Sequence, residues 1–216
     1  LVEYPKSGIT WLCFLISNSI ILNENNNSLK VTFYNIQQLI PDVQMSRDLP
    51  NNNLWITNTP RFIKSHHKYK PDYNNVIYLI RDPLSVMTSY YKYLLGLKKI
   101  NCSFLDFVKS KKYGVDKWID HVNSWTKNIK NGQRLHLIKY EDLISNPQMT
   151  LENLFTNLGL KVSSSSIKNS IKLSSLLEMK KYEKIYRGHN PFYHLKFVRK
   201  GGTNNEDVDP TVKDYV

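Results

Sequence analysis

Leu1-Val2-Glu3-Tyr4-Pro5-Lys6-Ser7-Gly8-Ile9-Thr10-Trp11-Leu12-Cys13 reads as a short apolar strand, a turn the size of a phosphate group and the start of a helix. That order builds an anion site. The first N–H groups of a helix lack intrahelical partners, and the positive end of its dipole points at whatever occupies the turn. Gly8 leaves out a side chain where an anion would approach closely, Ser7 and Thr10 bring hydroxyls, and Lys6 brings a full positive charge. The pattern is not the G-x-x-x-x-G-K-[ST] nucleotide loop, because Lys6 precedes the glycine. An ordinary turn with a solvated lysine would explain Lys6-Ser7-Gly8 taken alone, so an anion site requires further phosphate-binding groups elsewhere in the chain.

Outward from that stretch, strands and helices alternate. Thr10 to Leu22 is a helix apolar over most of its circumference, and Phe62 to Ser65 and Val76 to Ile80 are strands. The run Val76 to Ile80 is continuously apolar, as in strands buried on both faces of a parallel sheet. Pro83 opens a helix to about Leu97, Ser103 caps one to about Lys111, and another covers Val115 to Lys130. Leu135 to Lys139 is a strand, Pro147 opens a helix that Gly159 closes, and shorter helices span 165–172 and 174–184. The expectation is an α/β fold: one domain over 1–216 with a central parallel sheet flanked by helices. The tail, 199–216, is rich in Gly, Asn and Asp and is expected to be irregular.

The chain has 216 residues, with 30 Lys and Arg against 18 Asp and Glu, a net charge of +12 that points to an anionic partner. Nucleic acid, an acidic membrane surface and a multiply charged nucleotide all satisfy it. Two cysteines, Cys13 and Cys102, support neither a disulfide framework nor a cysteine zinc cluster, so a reducing compartment, the cytoplasm, is expected. Trp11 to Leu22 falls short of the roughly 20 residues that span a bilayer, so stable membrane insertion is not expected. The chain opens inside a strand, which suggests a missing N-terminal segment.

Further polar groups lie at strand ends. Arg81 follows the strand Val76 to Ile80 directly, at the carboxyl edge where ligands of open α/β sheets gather, and Ser89 lies two helical turns later. Lys64-Ser65-His66-His67 ends another strand, putting an ammonium and a proton acceptor suited to neutral pH together. The tandem histidines make a poor metal site, since neighbours on a strand point apart. His121 and His136 are assigned to packing or solvent. Tyr140-Glu141-Asp142 follows the strand 135–139, where capping by Asp142 suffices as an account. Arg199-Lys200-Gly201 is basic and flexible, suited to wrapping a phosphate. Each group alone has a bland explanation.

Taken in order, these pieces resemble the cytosolic-type sulfotransferases, which move a sulfuryl group from 3′-phosphoadenosine 5′-phosphosulfate (PAPS) to an acceptor. Tyr4 to Trp11 is similar to their 5′-phosphosulfate loop, Y-P-K-S-G-T-T-W, with Ile9 replacing a threonine. Phe62 to His66 resembles the strand ending in K-T-H, which implies His66 as general base. Arg81 to Tyr91 resembles the 3′-phosphate motif, implying Arg81 and Ser89 as its ligands. Tyr113 to Trp125 resembles a recurrent Y-G-x-W-x-x-H-V-x-x-W stretch. Tyr140 matches the tyrosine of Y-E-D that approaches the adenine, and Ser174-Ser175-Leu176 stands at a T-S-F triplet with adenine-side and phosphate contacts. Phe197 to Gly201 matches F-x-R-K-G, so Arg199, Lys200 and Gly201 are expected to close on the 3′-phosphate. The usual G-x-x-G-[DE]-W-K continuation is replaced by Thr203-Asn204-Asn205-Glu206.

The resemblance implies a P-loop-like, three-layer form of the α/β domain and binding of PAPS by Lys6, Ser7, Gly8, Ile9, Thr10, Trp11, Arg81, Ser89, Tyr140, Ser174, Arg199, Lys200 and Gly201. Lys6 would stabilise the leaving phosphate oxygen, His66 would take the acceptor's proton, and Lys64 would neutralise the sulfuryl oxygens. No metal is required. The acceptor is expected to be a small molecule with a hydroxyl or amine, with no nucleic-acid partner and with monomer and homodimer both open. The rivals are a nucleotide or nucleoside kinase-like enzyme, which needs Mg²⁺-ATP and a carboxylate near the loop, and a basic RNA-binding module. An inactive PAPS binder is a third.

Overall fold

The computed structural model describes residues 1–26, 28–44, 59–130, 132–189 and 209–216. Two compact units interleave along the chain. The first, a sheet unit, holds Val2–Gly8, His66–Tyr140 and the described C-terminal residues. Its strands β1 (Val2–Glu3), β2 (Asn75–Ile80) and β3 (Arg134–Lys139) are parallel and lie in that order. The register pairs Glu3 with Leu79 and Ile80 with Lys139. Tyr4, Arg81 and Tyr140 therefore leave the sheet at one edge, its carboxyl edge.

Between β2 and β3 the chain forms α3 (Pro83–Gly96), α4 (Phe104–Val108) and α5 (Val115–Thr126). Asp82 starts α3 by accepting the Ser85 N–H at 2.7 Å, with Pro83 in the first turn, where a missing N–H costs nothing. Ser103 caps α4 in the same way. Val2, Val76 and Tyr78 bury one sheet face against Trp125 of α5, while Val86, Met87, Leu94, Phe107 and Val108 enclose Tyr4 in a second cluster. That cluster also holds Val212 of α10 (Pro210–Tyr215), and this corrects the expectation of an irregular tail. Asp209-Pro210 repeats the Asp82-Pro83 start signal: Asp209 accepts the Thr211 N–H at 2.8 Å, and Val212 is buried. Residues 190–208 lie outside the described ones.

The helical unit holds Leu1, Ile9–Ser65 and Glu141–Gly201. It contains α1 (Ile9–Asn23), α2 (Ile36–Leu39), most of α6 (Tyr140–Ser145), α7 (Pro147–Asn157), α8 (Ser164–Leu173) and α9 (Leu176–His189). α1 is buried nearly all round, as its composition requires. Two of its buried polar residues, Asn18 and Ser19, are met by α8, whose Ser166 and Ser170 and the following Ser174 recur every four residues and so share a face, while the buried Ser17 hydroxyl has no hydrogen-bond partner among the described residues. Ser19 donates to Ser170 at 2.7 Å, Asn18 donates to Ser174 at 3.0 Å, and Ser170 donates on to the Ile167 carbonyl. Each such bond contributes about 1 kcal/mol, and an unmet buried partner would cost more.

Two local expectations fail. Residues 62–65 are extended but, instead of a strand, show only bridge pairing at Lys64 and Ser65, that of Lys64 being an isolated bridge to Asp42. The bridge is closed by the Lys64 N–H on the Pro41 carbonyl and the Val43 N–H on the Lys64 carbonyl, and Pro41, which has no N–H, stops it from extending toward Phe62. Asp142 does not cap a helix, since α6 already begins at Tyr140. Among the described residues no helix is long and apolar enough to cross a membrane.

Candidate active site

The carboxyl edge of the sheet unit is organised around Tyr140. The Arg81 guanidinium carbon sits 4.2 Å above the centre of its ring, and Arg81 Nη1 donates to the Lys6 carbonyl at 3.4 Å. Gly8, at φ +115, passes against the same ring: a Cβ there would stand 2.6 Å from Tyr140 Cε2. Only glycine fits that approach and that backbone conformation. Lys6 is itself at φ +80, an uncommon conformation for a residue with a side chain, and its Nζ lies 4.4 Å from the Tyr93 ring centre. Two cations and a turn without a side chain at Gly8 thus share one edge. Ser89, half-buried, lies on α3 two turns beyond Arg81, on the face of Ser85.

Ser7 departs from its expected use. It is 1% exposed, and its hydroxyl donates to the Tyr4 carbonyl at 2.9 Å, so the one hydroxyl proton closes the turn.

His66 stands in the sheet unit beside β1. Its Nδ1 lies 3.4 Å from the Glu3 carbonyl and 3.8 Å from Glu3 Oε1, with the ring partly exposed and Glu3 buried. The His66 backbone is held from α5: His121 Nε2 reaches its carbonyl at 3.1 Å, and Trp125 Nε1 donates to the His67 carbonyl at 2.9 Å. Burial pushes the His121 imidazole down to about 4, so the ring is neutral and carries one proton. A carbonyl can only accept, which places that proton on Nε2 and makes Tyr78, at 2.8 Å from Nδ1, the donor to the other nitrogen. Burial raises the Tyr78 and Tyr4 phenols far above their ordinary value, and the Glu3 charge adds to the effect at Tyr78. The histidine and the second tryptophan of the Tyr113–Trp125 stretch therefore have a physical reason for being four residues apart: together they fix the chain at His66 and His67.

In the helical unit Lys64 Nζ lies 3.1 Å from Asp42 Oδ2, and Asp42 is 2% exposed. The ammonium expected to meet sulfuryl oxygens is thus paired with a buried carboxylate in this unit. Ile9 is 1% exposed and belongs to the core of α1. Thr10, half-buried, occupies the first turn of the same helix. Trp11 Nε1 donates to the Ser174 carbonyl at 2.9 Å. Ser174 is fully buried with its hydroxyl bonded to Asn18, so what it does in this unit is orient Trp11. Arg199, Lys200 and Gly201 lie outside the described residues. Reading the sequence missed Glu3 beside His66, Asp42 beside Lys64 and Tyr93 beside Lys6. Only Glu3 left a trace, a carboxylate in an otherwise apolar strand.

A protein-family model described as a sulfotransferase domain matches residues 1–205. Sulfotransferase 1E1 of Bos taurus is 32% identical over 195 residues, 83% of this chain and 65% of the relative. Sulfotransferase 4A1 of Mus musculus is 26% identical over 186 residues, 79% of this chain and 63% of the relative. The chain thus spans just under two thirds of the length of these relatives. A crystal structure of retinol dehydratase in complex with retinol and PAP superposes with a TM-score of 0.70 at 16% identity, covering 100% of this chain and 75% of that one. At that identity the likeness establishes the fold.

Proposed function

The chain belongs to the sulfotransferase domain family, and from that premise we propose that it is a PAPS-dependent sulfotransferase acting on a hydroxyl or amine of a small molecule. The observation that carries this reading is the meeting of Lys6, Gly8, Arg81 and Tyr140 at the carboxyl edge of a parallel sheet. A helix-start turn flanked by two cations, Lys6 and Arg81, each resting on an aromatic ring, fits a nucleotide with two separated anionic groups. Arg81 and Ser89 would hold the 3′-phosphate together with Arg199, Lys200 and Gly201, Lys6 and the backbone from Gly8 to Trp11 the 5′ side, and Tyr140 the adenine.

PAPS would supply the sulfuryl group: the acceptor oxygen bonds to sulfur, the bond from sulfur to the 5′-phosphate oxygen breaks with its electron pair, and the acceptor's proton passes to His66. Lys6 offsets charge gathering on the leaving oxygen, and His66 Nε2 is the proton acceptor. Lysine, arginine and backbone donors neutralise the phosphates without a metal. That the retinol dehydratase complex carries PAP, the product of such a transfer, supports the choice of nucleotide, and its retinol supports a small alcohol as acceptor. The cytoplasm is the compartment we propose, with no nucleic-acid partner.

The test is a thermal shift with PAP, with ATP and Mg²⁺, and with RNA, followed by transfer from PAPS to a panel of phenols, sterols and amines. We expect PAP alone to stabilise the chain and sulfated product to form. Stabilisation by ATP and Mg²⁺ or by RNA in place of PAP would overturn the reading.

A further inference from the structure

Glu3 is a carboxylate set in an apolar strand, 3% exposed, with Oε1 3.8 Å from His66 Nδ1 and its own carbonyl 3.4 Å from the same nitrogen. A buried carboxylate needs compensating charge or donors, and His66 is an ionisable ring at that distance. Both oxygens of Glu3 that face the ring can only accept, so the contact calls for a proton on Nδ1. In that tautomer the basic lone pair is on Nε2. We propose that Glu3 is a positioning residue for His66: it selects the Nδ1–H tautomer and stabilises the imidazolium formed when Nε2 takes the acceptor's proton. The catalytic part of this inference rests on the sulfotransferase reading, while the link between the two side chains does not.

The logic is electrostatic. An opposite charge within about 4–6 Å favours the charged form of a group and typically moves its titration by about one pH unit or more. The other groups around His66 do not duplicate Glu3. From α5, His121 is neutral and bound to the His66 carbonyl; from β2, Tyr78 donates to His121; Lys68 is paired with Asp120 of α5 at 3.4 Å. In the same segment His67 Nδ1 lies 3.4 Å from the Tyr73 hydroxyl, and Lys64 pairs with Asp42.

Nitrogen-detected NMR of the histidine rings, with His66→Ala identifying the His66 signals, gives the tautomer of the unaltered chain without any variant at Glu3. The Nδ1–H form is expected, and a predominant Nε2–H form overturns the proposal. In Glu3→Gln the His66 titration should fall by about one pH unit or more, and in Glu3→Asp, which keeps the charge on a shorter arm, by less. Turnover in Glu3→Gln should drop roughly tenfold, a fraction of what general-base catalysis supplies, with the acid limb of the kcat profile moved to lower pH and the PAP-induced thermal shift kept. A His66 titration unchanged in a folded Glu3→Gln overturns the proposal even if transfer is observed. A titration that moves in a chain unable to transfer sulfuryl groups upholds the link and overturns the sulfotransferase reading instead.

Discussion

The turn Lys6–Gly8 and the segment His66–His67 are held by opposite means. The turn is set by its own backbone, with Lys6 and Gly8 both at positive φ and Ser7 bonded back to Tyr4. His66 and His67 belong to no helix or strand, and helix α5, far along the chain, grips their carbonyls. The first is a local structure that its residues dictate, whereas the second exists only once the sheet unit has folded. A change inside the turn should therefore act through strain, and a change at α5 should reach His66 without touching its ring.

Experiments can press on that contrast. The largest effect is expected from His66→Ala, a fall in kcat of about 10²- to 10⁴-fold, with PAP affinity unchanged by calorimetry; a retained kcat would remove His66 from the chemistry. Next, Gly8→Ala combines a positive φ with a collision against Tyr140, together about 2–4 kcal/mol, so calorimetric melting should fall by roughly 5–15 °C. An unchanged Tm would mean that the ring yields freely.

His121 provides the matching test for the distant support. Its folded value of about 4 lies below the ordinary 6.5, so the unfolded chain takes up a proton first as pH falls. Stability from this group is therefore complete above about pH 6.5, is lost on the way down to about pH 4, and levels off below; the whole span is about 3 kcal/mol. Denaturant titrations of His121→Gln should lack that part of the acid limb. Arg81→Ala should weaken PAP binding by about 2 kcal/mol, roughly thirtyfold, through loss of charge-assisted bonds. The smallest change, Tyr78→Phe, strands His121 Nδ1 without its donor and should cost about 1 kcal/mol of stability. It should also lower kcat slightly if the grip on His66 matters to turnover.

The same contrast explains what could be read in advance. The loop, Arg81 after a buried strand, and the helix starts at Pro83 and Ser103 rest on local rules of charge, capping and periodicity. Contacts between distant residues leave little mark. Nothing near Lys64 announces Asp42, which arrives through a bridge that Pro41 stops from growing into a strand. Nothing near Ser174 announces that Asn18 and Trp11 meet it and draw it inside. The helix at Pro210 was legible in principle, because Asp209-Pro210 copies Asp82-Pro83, but composition outweighed that signal.

Tyr140 has one more consequence. Its ring is a shared wall, with Gly8 against it and the Arg81 guanidinium over its face. A ligand that shifts the ring at the turn is felt at the arginine, and the converse holds with the same free energy, because coupling between two sites is reciprocal. Adenosine 3′-phosphate and a 5′-phosphate fragment, each too small to fill both places, would then bind as linked partners through a side chain that carries no charge of its own.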